Sequence, residues 1–261
     1  MDSVVLATVQ THEALQSMLD KAKISAQKDR DDFLSTPGPH VGGAIGVYSK
    51  LLRSMSLESR EELMGFWSKN GQNRKLTEAV EKLWEVEDDW DSFLEELDKE
   101  TLREGGDPAK ELLSVGSEAP GHVELFNVRD QQNTSLQARL KAQKVAVVVV
   151  SFGVQSGAEN WLQETGCQLP MFLDPDRKLY RAFGLHRSLA KVFNHKSLFY
   201  YGEQVASGRA LPKAMSGIED DPLQMGGNFT VSVPSSKMTL IHRSKNPSDR
   251  PCLEQILNIE A

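Results

Sequence analysis

Two thiols are the side chains best suited to nucleophilic or redox chemistry in this sequence: Cys167 in Thr165-Gly166-Cys167-Gln168 and Cys252 in Arg250-Pro251-Cys252. A thiol that attacks a peroxide or a disulfide reacts as the thiolate and then needs a second residue to resolve the oxidised sulfur. Cys167 falls between a predicted helix and a predicted strand with no neighbouring cysteine or basic residue, so a small half-buried apolar residue is its simplest reading. Cys252 sits beside Arg250 at a predicted helix start, which gives it the better electrostatic case for activation, although position near a helix end does not by itself make a thiol reactive. Two cysteines are too few for a disulfide framework or a cysteine-rich zinc site.

The other chemistry-bearing residues make weaker patterns. His186, His195 and His242 lack the short paired spacing of zinc ligands, and read as surface or hydrogen-bonded histidines with no metal expected. Gly226-Gly227 is followed by no Lys-Ser or Lys-Thr, so it reads as a close approach into a hairpin and not as a phosphate cradle. In Asp249-Arg250-Pro251 the aspartate is expected to cap the last helix and the arginine to pair with a carboxylate. Trp161 and the Tyr200-Tyr201 pair read as core aromatics. No serine–histidine–acid or paired-carboxylate arrangement can be assigned from spacing, and no bound cofactor is expected.

The elements that must position these residues fall into two parts. Residues 3–102 read as helical, broken at Thr36-Pro37-Gly38-Pro39. Leu76, Val80, Leu83, Trp90, Leu94 and Leu97 share one helix face, and the interleaved Glu85, Glu87, Asp88, Asp89, Asp91, Glu95 and Glu96 are expected on a solvated acidic face. After a junction at residues 104–108, short apolar runs alternate with helical segments, the pattern of an α/β unit. The run from Val145 to Val150 is its best strand, expected to be covered on both faces. A helix over 157–166, a strand over 169–173 and a turn at Asp174-Pro175-Asp176 into a helix carrying Leu179, Tyr180 and Phe183 follow. Residues 188–207 read as helix, 208–227 as a long connection, 228–233 and 238–242 as a hairpin, and 251–259 as a closing helix.

The chain has 261 residues, enough for a helical region over 1–110 and an α/β domain over 111–261. A formal charge of −7 offers no basic excess for nucleic acid or an anionic membrane, which leaves small solutes or proteins as expected partners. Neither a basic, apolar secretory leader nor an apolar run near the ~20 residues of a membrane span is present, so a cytoplasmic address is expected.

Five segments in order resemble the peroxiredoxin-like AhpC/TSA group, and within it the selenoprotein L-like branch. They are Val147 to Gly153, Trp161-Leu162-Gln163-Glu164-Thr165-Gly166, Leu173 to Leu185, Gln224-Met225-Gly226-Gly227-Asn228-Phe229, and Asp249-Arg250-Pro251; the opening Val115-Gly116-Ser117-Glu118-Ala119-Pro120 is similar too. The resemblance covers about residues 114–261 and implies a thioredoxin fold, in which a strand leads into a helix bearing two redox residues two positions apart. It implies cysteine or selenocysteine at both, peroxides or protein disulfides as substrates, and a thiol reductant or a protein disulfide as partner.

Against that pattern the redox pair is missing. It should lie between Val123-Glu124-Leu125-Phe126-Asn127-Val128 and the strand at Val145, yet only the sixteen residues from Arg129 to Lys144 are there. Sixteen residues beginning Arg129-Asp130-Gln131-Gln132-Asn133 do not supply an apolar strand, a redox turn and a helix. The expectation is a thioredoxin-like domain without its central redox strand, and a chain that is catalytically incomplete. An exon omitted at an in-frame UGA selenocysteine codon accounts for it more simply than a genuine deletion. A non-catalytic interaction module on a degenerate thioredoxin fold is the alternative.

Overall fold

The computed structural model describes residues 1–104, 112–121, 126–127, 146–211, 218, 221–233 and 235–257, with the backbone alone at 100–104, 126–127 and 257. The interval 129–144 and most of the expected junction at 104–108 therefore lie outside the described residues, as does Val145. The elements in chain order are α1 (Asp2–Lys28), α2 (Arg30–Ser35), α3 (Gly38–Val41), α4 (Ala44–Met55), α5 (Arg60–Lys69), α6 (Arg74–Glu104), β1 (Phe126–Asn127), β2 (Val149–Ser151), α7 (Gln155–Thr165), β3 (Met171–Leu173), α8 (Lys178–Ala182), α9 (Leu189–Phe193), α10 (His195–Ala206), β4 (Gly227–Ser232), β5 (Lys237–Arg243) and α11 (Leu253–Leu257). They form two compact units, Met1–Asp107 with Ser188–Pro212 and Asn246–Ser248, and Pro108–Arg187 with Lys213–Lys245 and Asp249–Ala261.

The first unit is helical, and its core follows the spacing of the apolar residues. On α6 every member of the predicted stripe is buried, from Leu76 at 1% exposure to Leu97 at 8%, and Val86 joins them. On α1 the buried positions Thr8, Thr11, Leu15, Leu19, Ala22 and Ala26 make a matching stripe, and α1 packs on both α4 and α6. Buried Thr8 and Thr11 return their hydroxyls to the carbonyls of Val4 and Ala7, so neither leaves a polar atom unpaired. Boundaries between the helices are set by caps. Asp29 accepts from the Asp32 N–H, Ser59 from Glu62 and Asn194 from Ser197. Asn194 divides the single helix expected over 188–207 into α9 and α10, because its extended backbone ends one helix while its side chain starts the next.

The second unit is α/β. β2 runs parallel to β3 across α7, with Val149 opposite Met171 and Ser151 opposite Leu173, the βαβ arrangement expected. β1 adds to the other edge of β3 antiparallel, giving the order β1-β3-β2. Met171 and Leu173 of β3 pack on Ala158 and Leu162 of α7 to form the core. Glycines end the helices where predicted, with Gly166 at φ 63° after α7 and Gly184 at φ 67° after α8. The hairpin β4–β5 is antiparallel, and its register shifts at Thr230/Val231. The 115–120 segment lies along β5, where Gly116 N–H donates to the Met238 carbonyl and Met238 N–H to the Ser117 carbonyl.

Two expectations need correction. Among the described residues of the 145–150 run, strand forms only over Val149–Ser151, where pairing with β3 begins; Val148 is 54% exposed and the three strand residues are each half-buried, so this run is not fully covered on both faces. Trp161 and Tyr200 are partly exposed, at 42% and 38%, and are not core aromatics.

Candidate functional site

Cys167 follows the C-terminal end of α7, where its backbone N–H donates to Thr165 Oγ1 (3.3 Å) and its side chain packs, half-buried, against the cluster of Ala158, Leu162, Met171 and Leu173. A helix C-terminus presents carbonyl oxygens, so it offers none of the N–H donors that hold a thiolate in a redox turn. Cys252 is exposed and occupies the position before α11, its N–H donating to Gln255 Oε1 at 2.9 Å. The guanidinium of Arg250 is directed elsewhere, to Ser244 Oγ (3.2 Å) and the Asp249 carbonyl (2.6 Å). Both cysteines are free thiols in the α/β unit.

Asp249 departs from its expected role. Its Oδ2 accepts from the Lys245 N–H at 2.7 Å and lies 3.2 Å from His242 Nε2, closing the turn before α11 instead of capping that helix. The Lys245 N–H, helped by His242, holds this carboxyl below its ordinary range. Arg250 finds a hydroxyl and a carbonyl in place of the carboxylate expected. Gly227 behaves as read: a Cβ there would meet the His242 carbonyl at 2.6 Å and the Phe229 ring at 2.8 Å, so only glycine permits this approach of β4 to β5.

Sequence reasoning missed a polar group at the C-terminal ends of the parallel strands, the position where open α/β sheets bind ligands. Asp174, directly after β3 and 2% exposed, accepts from the N–H groups of Lys178, Leu179 and Tyr180 at 2.8, 2.8 and 3.1 Å. This is an N-terminal cap supplied from the preceding strand. Tyr180 Oη donates to the Val150 carbonyl at 3.1 Å, and burial, with Asp174 nearby, pushes its phenol up to about 12. Arg177 lies 4.5 Å over the Phe152 ring, pairs with Asp221, and donates to Gln224 Oε1 at 3.2 Å; Arg187 reaches the same Asp221 carboxylate at 2.9 Å. The only advance signal was the Asp174-Pro175-Asp176 turn, because Asp221 and Gln224 lie more than forty positions downstream of Arg177.

A second cluster of titratable groups is in the helical unit. Glu87 of α6, 4% exposed, accepts from Tyr48 Oη (3.0 Å) and Arg60 Nη2 (3.2 Å), and lies 3.8 Å from His195 Nε2. Asp91, one turn on, accepts from the His195 backbone N–H and faces its Nδ1, each at 2.8 Å. Burial raises the Glu87 carboxyl above its ordinary range, against the pull of His195 and Arg60, and burial beside Glu87 raises Tyr48 well above that of a free phenol. Asp98, a further two turns along, takes the Ser188 hydroxyl and the N–H groups of Leu189 and Ala190 at 2.6, 2.8 and 3.0 Å, so it caps α9. Glu87 and Asp91 thus correct the reading of a wholly solvated acidic face, since α10 brings His195 onto α6. Among the described residues, no group of three or more His, Cys, Asp or Glu side chains is arranged to hold a metal ion.

The AhpC/TSA antioxidant enzyme family model matches residues 134–246. Three curated relatives carry the name Peroxiredoxin-like 2C. The human protein is 24% identical over 125 residues, covering 46% of this chain and 55% of its own length. The mouse protein is 23% identical over the same shares, and the bovine one 23% identical over 126 residues, 46% of this chain and 54% of its own length. The chain spans about half the length of the curated relatives it matches. No solved structure matches it. Residues 134–246, which hold the βαβ unit and the hairpin, match the AhpC/TSA antioxidant enzyme family, and over that span the chain is similar to the peroxiredoxin-like group of thioredoxin-fold proteins.

Proposed function

We propose that this chain is a catalytically incomplete member of a thiol- or selenol-dependent redox family, of the selenoprotein L-like branch, and that its full-length counterpart reduces peroxides or protein disulfides with electrons from a thiol reductant. One observation carries the reading: the only cysteines are Cys167, half-buried after a helix C-terminus, and Cys252, exposed in the turn before α11. Neither belongs to a pair separated by two residues, and the chemistry needs an attacking and a resolving group in reach of each other.

The test is consumption of hydrogen peroxide and of an alkyl hydroperoxide with dithiothreitol as reductant. The expected rate is that of reductant alone. Turnover that disappears in Cys167→Ser or Cys252→Ser would overturn the reading and make that thiol catalytic. Sequencing the transcript across the codons for residues 129–144 addresses the origin of the gap. An additional in-frame segment containing UGA supports the omitted exon, and an uninterrupted message supports a true deletion.

A second reading, a non-catalytic module that binds a protein partner, is favoured by the composition of α6, whose Glu85, Asp88, Asp89, Glu95 and Glu96 remain exposed along one long helix. Among the described residues no helix is long and apolar enough to cross a membrane; the cytoplasmic address stays a proposal from the sequence.

A further inference from the structure

We propose that a cavity between α5 and α6 binds a compact organic cation of the quaternary-ammonium class. The cavity measures about 300 Å³ and lies within the helical unit, with Met64, Trp67, Leu76, Val80, Glu81 and Trp84 among its lining. Small-molecule sites run from about 300 to 1,000 Å³, so this one suits a small ligand.

Three features select the ligand. First, the Trp67 and Trp84 rings stand 6.4 Å apart at 72°, forming two walls of a corner. The face of an indole carries negative electrostatic potential and attracts cations, most strongly those without a tight hydration shell. Second, Glu81 is the one charged residue lining the cavity, and it forms no ion pair among the described residues, whereas Glu78 is taken by Arg74 and Glu95 by Lys99. Third, the floor is apolar, with Leu76 at 1% and Val80 at 5% exposure, while Met64 at 38% and Trp84 at 41% leave the mouth open. A metal ion would have to shed water onto methylene groups there, whereas a methylated ammonium gains contact with the indole walls and the apolar floor.

The cavity is also not what packing for stability alone would build. Trp67, which lines it, keeps its Nε1 buried without a hydrogen-bond partner among the described residues, and such a group costs about 1–3 kcal/mol. The ammonium itself has no lone pair to accept this N–H; a ligand hydroxyl, which choline and its neutral analogue both carry, has one.

Choline is the probe, and 3,3-dimethyl-1-butanol, the same shape with carbon in place of the charged nitrogen, is its control. Both are titrated into the intact chain at constant ionic strength and followed by broadening of their methyl resonances. Choline is expected to bind saturably, at least about five-fold tighter than the neutral analogue. Trp84→Ala lowers choline affinity about five-fold, and Trp84→Phe and Glu81→Gln about two- to three-fold. Glu81 and Trp84 are exposed, so the two conservative variants keep the fold, which far-UV circular dichroism checks. Equal binding of the neutral analogue, unchanged affinity in both conservative variants, or broadening that never saturates would each overturn the proposal.

Discussion

In the helical unit, buried Glu87 is met by side chains from three other elements, Tyr48 of α4, Arg60 of α5 and His195 of α10, whereas in the α/β unit buried Asp174 is met by three backbone N–H groups within six residues of it. Both arrangements satisfy a carboxylate removed from water, and they make different demands on the chain. A backbone cap needs only a strand, a turn and the start of a helix, all contiguous. A side-chain network needs segments that meet only after folding, and one of its members, His195, lies inside the span shared with the AhpC/TSA family. The helical unit is therefore not an independent appendage of the first hundred residues. It is completed by α9 and α10.

The severest way to break the comparison is to supply one part without the other. A fragment of residues 1–107 lacks Leu189, Leu198 and Phe199, each at most 2% exposed in the intact unit, and each worth about 1.5–3 kcal/mol when buried. Together they approach the whole stability of an ordinary domain, about 5–15 kcal/mol. The fragment is expected to be helical by circular dichroism yet to melt without a cooperative transition, whereas intact chain melts cooperatively. A sharp melt of the fragment would show that the network is dispensable.

Next in size come single substitutions on each side. His195→Ala leaves Asp91 without its ring partner and opens a gap beside buried Glu87, and is expected to cost about 3 kcal/mol. Asp174→Ala removes three cap bonds at one helix start and is expected to cost about 2 kcal/mol. Three of the four tryptophans, Trp67, Trp84 and Trp90, belong to the helical unit, and Trp161 to the other. In a Trp161→Phe background, urea unfolding followed by fluorescence therefore reads the His195 effect, and amide exchange at Lys178, Leu179 and Tyr180 reads the Asp174 effect.

What was legible in the sequence divides along the same line. The α6 stripe, the βαβ unit, the glycine stops and the hairpin could be read because each depends on spacing within about thirty residues. The approach at Gly227 could be read because a glycine beside a strand has few other uses. The Glu87 network could not, since nothing local distinguishes Glu87 from Glu85 or Asp88 on the same acidic helix until α10 packs there. The division at Asn194 was missed because its cap replaces one helix by two without changing the apolar pattern. The length of β2 was missed because a β-branched run reports propensity, while the strand extends only where β3 pairs with it. The cavity between α5 and α6 was equally invisible, as Trp67 and Trp84 come from different helices.

The smallest effect sharpens the comparison through its sign. Burial raises the folded-state value of Glu87, so the folded chain takes up this proton more readily than the unfolded chain does. The cost of ionising Glu87 is absent below the ordinary carboxylate range, near about 4.3, and fully present once the pH exceeds the raised value. Stability of the helical unit should therefore fall as pH climbs through that window, by no more than about 1.4 kcal/mol per pH unit from this one group. Asp249 behaves oppositely: its lowered value adds stability above the ordinary range, and that contribution fades as the pH falls toward the lowered value. Asp249 is only half-buried, and solvent screening keeps its share small. Urea midpoints taken from pH 4 to pH 7 on Trp161→Phe, with and without Glu87→Gln, isolate the first trend, and the Glu87→Gln profile is expected to be the flatter. Identical profiles would mean that Arg60 and His195 fully offset the desolvation of Glu87, in which case the buried network and the backbone cap are electrostatically alike and differ only in how far along the chain their partners lie.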